Sequence, residues 1–570
     1  MKIASQLLES SLKMVADCKL DEIWLEDFDD ESWEMEAPYN FLFHHRKKLQ
    51  EFASCDPTRG QAVKHLLDYL EENFGAEFAG ADDEFMRGVV TEASIEKLFR
   101  PNQTVVSEND KGVTSAYILD EWPVKKANQL LFSGWHWAYG GRQLDRKPWY
   151  SKIDLVPFKG NFERPLSKLQ VVPAQYADEN LLAMLQRRGE KFWSMRNQSF
   201  VSYNGWDQHH DYFYSKERFM VDMSTYSKLH PRPRPNAFMP GIRPPVPSEI
   251  SDFDDNPRVI RQDEDLDERQ VMILPAHTYG YSLREKKWVS LSIAQTESIA
   301  WNKKAFDRLV LQPDTKRLLR ALINVRMSNT KKMDDLVSGK GNGLIMLLHG
   351  SPGTGKSLTA ESVAEYAEKP LYRVTCGDIG TEPTAVEKYL ETVLYLGKIW
   401  DCVLLLDEAD VFLEERTVSD LTRNSLVSIF LRVLEYYEGI IILTSNRVGT
   451  FDEAFQSRIR VALHYEPLTK KFRKAIWSNF FEMLTEDQDD INVDIRNMEG
   501  RLEELADYKM NGRQIRNIVL TARQLAMEEG ESLEWKHLSQ VLTLSRKFNE
   551  YLEKVKGHSN EDWAVSQQIR

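Results

Sequence analysis

The chain has 570 residues, a net charge of −14 and a pI near 5.5, with 42% apolar residues of which aromatics make up 11% of the chain. That length exceeds what one hydrophobic core serves and predicts about three or four domains, and the composition excludes wholesale disorder. The acidic balance argues against a protein whose main task is coating nucleic acid or anionic membrane.

Cys18, Cys55, Cys376 and Cys402 are far apart and lack CxxC spacing, which fits neither a disulfide framework nor a zinc site and points to a reducing compartment. Charged Glu9, Lys13, Asp17 and Lys19 interrupt the N-terminus before a signal-peptide core forms, and no apolar run approaches a bilayer span. A cytoplasmic or nuclear location is therefore expected.

In chain order, Leu20–Glu36 mixes acidic residues with Trp24, Phe28 and Trp33, a composition found in partner-docking tails and in strips that pack on their own domain. Asp56-Pro57 then signals a helix start, Val63, Leu66, Leu67 and Leu70 follow at helical spacing, and Gly75 is expected to close the helix. Residues 1–100 form an acidic and helical N-terminal region in this reading. Strand patterning takes over between Gln129 and Val172, with Gly140-Gly141 as a hairpin turn, Leu181–Trp193 as a helix and Phe219–Val221 as a late strand. An α+β domain over 101–230 accounts for these signals.

Seven prolines between Pro231 and Pro247, followed by the acidic stretch Ser251–Glu268, predict an extended linker over 231–268. Beyond it, Tyr281–Ile293 has the pattern of a hairpin, and from Phe306 strands alternate with helices as in a parallel sheet. The expected core spans 269–467, a helical segment follows over 468–545, and 546–570 is a tail.

The chemistry concentrates in this second half. Gly350-Ser351-Pro352-Gly353-Thr354-Gly355-Lys356-Ser357 fits GxxxxGK[ST] between the apolar strand Leu344–Leu348 and the helix Leu358–Glu368. Glycines let consecutive N–H groups turn toward a β-phosphate, the helix N-terminus adds positive potential, Lys356 reaches β and γ oxygens, and Ser357 offers a ligand to Mg²⁺. Pro352, Gly353, Thr354, Gly355, Lys356, Ser357 and Leu358 are thus the expected contacts of ATP. The apolar run Val403–Leu406 delivers Asp407 and Glu408 at a strand end, where open α/β sheets bind ligands. Asp407 is expected to hold Mg²⁺ through water, and Glu408 to orient and deprotonate the attacking water. Ile440–Leu443 ends in Thr444-Ser445-Asn446, which places Asn446 to read the γ-phosphate. Arg458, before the strand Val461–Tyr465, is the candidate arginine finger acting on a neighbouring subunit, and Arg513, at the head of the helix Ile515–Met527, is a candidate to fold over the nucleotide.

This order of motifs resembles the AAA+ superfamily from Phe306 to about Ser545. Trp301–Leu319, Leu404–Arg416 and Phe451–Leu468 resemble more closely a group of fungal AAA+ ATPases in which an N-terminal domain of unknown function and a Pro-rich linker precede the ATPase. Leu98–Pro101, Val156–Phe158 and Arg218–Asp222 look like that N-terminal domain. The resemblance implies an α/β P-loop core with a parallel five-stranded sheet, a helical lid, and a homo-oligomeric ring, possibly a hexamer, that acts on a protein client selected by the N-terminal region. Gly380-Thr381-Glu382-Pro383 lacks the aromatic residue with which many relatives grip a threaded polypeptide, and Arg458 and Arg460 are spaced unlike the usual finger pair. A nucleotide-controlled switch with slow turnover is the alternative, and a nucleic-acid translocase is disfavoured by the charge.

Overall fold

The computed structural model describes residues 2–3, 5–15, 33–34, 38–56, 59–109, 111–158, 162–208, 210–231, 257, 259–327, 343–379, 382–410, 421–435, 437–447, 453–486 and 498–556. The chain divides into two compact units: Met1–Ser282 with Lys286–Ser298, and Ile299–Arg570 with the turn Leu283–Glu285. Among the described residues, no helix is long and apolar enough to cross a membrane. The acidic stretch around Trp24 and Phe28 and most of the Pro-rich segment lie outside the described residues.

In the first unit the helices Gln6–Val15, Asn40–Cys55 and Gly60–Met86 share one core with the near face of an antiparallel sheet. Leu42, Leu49, Val63 and Leu70 pack there with Val105, Leu119, Phe132 and Ile153, so the described helices before residue 100 and the strands that follow share one hydrophobic core. Gly75 does not end its helix. The helix runs on to Met86 because Phe74 and Phe78 keep the apolar face going on either side of it, and this packing outweighs the ~1 kcal/mol cost of an interior glycine.

The long strands Gln129–Tyr139 and Gln143–Asp154 pair across the Gly140-Gly141 turn, where Gly141 adopts φ 94° and a Cβ would meet the backbone of Ser224 at 2.4 Å. A second antiparallel sheet joins Ser199–Trp206 and Phe213–Val221 to the hairpin His277–Ser282 and Lys287–Ser292. That hairpin, expected at the head of the 269–467 core, belongs to the first unit. Its alternating Val289 and Leu291 bury against Phe219 and Val221, and its strands extend an antiparallel edge that a parallel sheet fed by crossover helices does not offer. Val259–Arg261, inside the expected linker, likewise pairs with Gln143–Asp145 of the first unit.

In the second unit the strands are β1 (Leu344–Gly350), β2 (Leu371–Thr375), β3 (Val403–Asp407), β4 (Ile440–Ser445) and β5 (Val461–Tyr465). All four pairings are parallel, and the order is β2-β3-β4-β1-β5. Every residue of β3 and β4 is buried, which is why these strands read as unbroken apolar runs rather than as alternation. The main helices are α1 (Pro313–Met327), α2 (Lys356–Tyr366), α3 (Pro383–Ile399), α4 (Leu421–Glu435), α5 (Lys470–Glu486), α6 (Leu502–Asp507), α7 (Gly512–Glu529) and α8 (Trp535–Lys556), accompanied by shorter helical turns.

Ala360, Val363 and Ala364 of α2 pack on Leu405 and Ile442, while α5 to α8 enclose their own core around Trp477, Phe481, Ile515 and Leu538. This is the parallel five-stranded α/β core with a helical lid. Helix α8 continues past Ser545, where the expected lid ended, to Lys556.

Candidate functional site: the strand ends of the second unit

Because β1, β3 and β4 are adjacent and parallel, their C-terminal ends bring the loop after Leu348, the pair Asp407-Glu408 and the triplet Thr444-Ser445-Asn446 to one edge of the sheet. The loop turns through left-handed backbone at Gly350 (φ 138°), Gly353 (φ 77°) and Gly355 (φ 104°) before α2 begins at Lys356. At Gly350 a Cβ would lie 2.2 Å from the Tyr465 carbonyl oxygen, so the conformation and the close approach both require glycine. Thr354 Oγ1 donates to the Ser351 carbonyl at 2.7 Å. Tyr465 on β5 donates to Thr359 Oγ1 at 2.8 Å, and Thr359 in turn donates to the Gly355 carbonyl at 3.0 Å. Burial pushes the Tyr465 phenol up to about 12, so this brace keeps its proton across physiological pH.

Lys356 is 7% exposed, and its Nζ donates to the carbonyls of Gly350 and Ser351 at 2.8 Å each and to Asn446 Oδ1 at 2.9 Å. The ammonium and the asparagine that sequence spacing assigned to γ-phosphate are therefore in direct contact. Ser357 Oγ donates to Asp407 Oδ1 at 3.0 Å, and Thr444 Oγ1 donates to the same oxygen at 2.6 Å. A hydroxyl beside a carboxylate is an oxygen donor set suited to a hard cation that keeps part of its water shell, so these residues fit Mg²⁺.

Glu408 has φ 57°, a left-handed backbone that a glutamate rarely adopts. Its surroundings enforce it: its N–H donates to Thr444 Oγ1 at 3.0 Å, and the next N–H, that of Ala409, donates to the Thr444 carbonyl at 2.9 Å. The turn leaves Glu408 exposed at the edge where Asp407 is held inside. His349, just before the loop, stacks on His464 with centroids 5.0 Å apart, and burial, then His464 and Lys356, lowers its pKa. The neutral imidazole is thereby favoured beside the glycine loop.

The lid reaches the same loop. Gly512 N–H donates to the Gly353 carbonyl at 2.9 Å, and a Cβ on Gly353 would meet the Asn511 side chain at 2.5 Å. Asn511 caps α7 in a reciprocal box with Gln514, which fixes the helix start carrying Arg513 against the loop. Leu358, 55% exposed, follows on α2.

Arg458 is placed differently. It pairs with Glu435 of its own α4 at 3.1 Å and donates to the Ala454 carbonyl at 2.8 Å. Sequence reasoning missed Glu435, and it missed Arg373 on β2, whose guanidinium pairs with Asp407. The signal for Arg373 is a lone charge in an apolar strand, two residues before the position in register with Asp407. Of the Gly380–Pro383 loop, Gly380 and Thr381 lie outside the described residues.

Two family models match the second unit. The one described as "ATPase family associated with various cellular activities (AAA)" covers residues 346–466, and the one described as "Fungal AAA+ ATPase lid domain" covers 468–559. Human ATPase family AAA domain-containing protein 3B is 29% identical over 172 residues, which is 28% of this chain and 24% of that protein. ATPase family AAA domain-containing protein 3 of Caenorhabditis elegans is 28% identical over 187 residues, 31% of this chain and 30% of its own length. The chain thus spans less than a third of the curated relatives it matches. A solved structure, that of the FIGL-1 AAA domain, is 16% identical and covers 46% of this chain and 92% of that one at a TM-score of 0.34.

Proposed function

We propose that this chain, an AAA+ ATPase of the fungal type with a C-terminal lid domain, binds ATP with Mg²⁺ at Gly350–Ser357, hydrolyses it with Glu408 as general base, and uses the cycle to remodel a protein client. The observation that carries the reading is the convergence of Lys356, Ser357, Asp407, Glu408 and Asn446 on one sheet edge, where Lys356 bonds Asn446, Ser357 bonds Asp407, and Thr444 ties Asp407 to the Glu408 backbone.

Loop amides and the N-terminus of α2 hold the phosphates. Lys356 leaves the Gly350 and Ser351 carbonyls for the β and γ oxygens, which frees Asn446 to orient water at the γ-phosphate. Asp407 and Ser357 would hold Mg²⁺, which would supply charge neutralisation at the phosphates. Glu408, projected by its left-handed turn, accepts the proton of the attacking water. Arg513 on the lid reaches the nucleotide from the side of Gly353.

Arg458 is the finger offered to a neighbouring copy in a homo-oligomeric ring. Its pairing with Glu435 favours the second reading, a switch that turns over slowly while this arginine is held within its own subunit. ATP hydrolysis per chain, measured across protein concentration, separates the two: a rate that rises as chains associate supports the ring-driven remodeller, and a slow rate independent of concentration supports the switch. A Glu408→Gln chain held in ATP is the bait for the client.

A further inference from the structure

Asp407 accepts three hydrogen bonds, two on Oδ1 from Ser357 and Thr444 and one on Oδ2 from the Arg373 guanidinium. Its side chain is 10% exposed while that of Arg373 is 51% exposed, so a nearly buried carboxylate is neutralised by a cation that stands in solvent. Arg373 can occupy this place because β2 is the edge strand of the sheet, and its side chain lies on the same face as those of Leu405 and Asp407 on β3, the face covered by α2. A second carboxylate, on the helix that covers that face, lies within electrostatic reach. Glu361 of α2 feels Arg373, Asp407 and, from the lid helix α7, Arg516; desolvation, the largest influence, holds its carboxyl above the ordinary range, and Arg373 is the first of the charges pulling it back.

We propose that Arg373 is a resident cation at Asp407 that competes with Mg²⁺ and sets the magnesium concentration at which nucleotide binds tightly. The inference rests on the ATPase reading above. Its logic is electrostatic: a guanidinium and a divalent cation cannot both sit at full strength on one carboxylate, because their mutual repulsion at a few ångströms offsets the attraction each gains. With the metal on Asp407, the freed Arg373 would turn toward Glu361 on α2, whose charge it already feels. Without nucleotide, Arg373 keeps Asp407 from being a buried, underneutralised charge, the situation that most destabilises an interior carboxylate. Arg373 is thus a positioning residue: it acts through Asp407 and not on the reacting atoms.

The test is equilibrium binding of ATP to the full chain, followed by a fluorescent ATP analogue, first in EDTA and then across a Mg²⁺ titration. Arg373→Met keeps the stem and removes the charge. It is expected to lower the Mg²⁺ midpoint for tight binding several-fold, to weaken binding in EDTA, and to lower the melting temperature of the nucleotide-free chain. Arg373→Lys restores a cation and is expected to return the midpoint toward wild type, which a purely packing role would not produce. A Met variant with an unchanged or higher midpoint overturns the inference while leaving the ATPase reading intact. Wild-type chain that binds no ATP in either condition overturns the ATPase reading itself.

Discussion

The carboxylate end of β3 and the arginine turn before β5 lie in one unit but are finished to different degrees by a single chain. At β3 every partner is supplied internally: Ser357, Thr444 and Arg373 satisfy Asp407, and Thr444 fixes the backbone of Glu408. At the turn, Arg458 bonds Glu435 and the Ala454 carbonyl, and neither of these partners belongs to the glycine loop or the β3 end. On the proposed reading, a group that acts within its own chain can be prepared by that chain's contacts, whereas an arginine offered to a neighbour needs a resting partner such as Glu435.

The strongest way to break the β3 side is Lys356→Ala. It removes the mobile cation of a loop otherwise made of backbone amides, and equilibrium binding should show loss of measurable ATP affinity. Near-wild-type affinity would sink the cradle assignment. The other side is sharpened by Glu435→Gln, which releases Arg458 without deleting it. Turnover per chain should rise several-fold at concentrations where chains associate and stay unchanged when they do not. Arg458→Ala should lose turnover by roughly 10³ while keeping its own ATP binding, since trans arginines contribute on that scale. A mixture with Lys356→Ala chains, which can donate Arg458 but hold no ATP, should recover part of the rate.

Smaller effects probe what supports the two regions. Asn511→Ala removes the cap that fixes α7 against Gly353, and should lower the melting temperature of the lid by an amount equivalent to about 1 kcal/mol. In the first unit, burial raises the Asp120 carboxyl to about 6, with Arg146 opposing. Its folded value lies above the unfolded one, so its stabilising contribution is complete below about pH 4 and is lost as pH rises through about 6. Asp120→Asn should therefore raise the melting temperature of that unit at pH 7.5 and leave it unchanged at pH 4, an effect on the order of 1 kcal/mol.

Much of the cradle was legible because its information is local. The spacing of glycines with Lys356 and Ser357, and the apolar runs ending at Asp407 and Thr444, mark strand ends that a parallel sheet must bring together. What stayed hidden depends on distant pairing. Glu435 and Asn511 sit in ordinary sequence surroundings, and even Arg373, a lone charge in an apolar strand, gains its meaning only from the elements packed beside it. The hairpin at 277–292 is hard to assign from sequence because it adjoins the half of the chain with the glycine loop, while its alternating pattern fits an antiparallel edge. Gly75 was misread because a helix-stop signal yields when apolar residues continue on both sides.

The most direct test of the account is the Glu408→Gln chain, assayed for ATP binding and for steady-state hydrolysis in the same preparation. The amide keeps the shape of the side chain and loses the basic oxygen. The account predicts wild-type binding with turnover reduced by about 10² or more. Hydrolysis within a few-fold of wild type would contradict it, because the carboxylate projected by the left-handed turn after β3 would then not be the group that takes the proton from water.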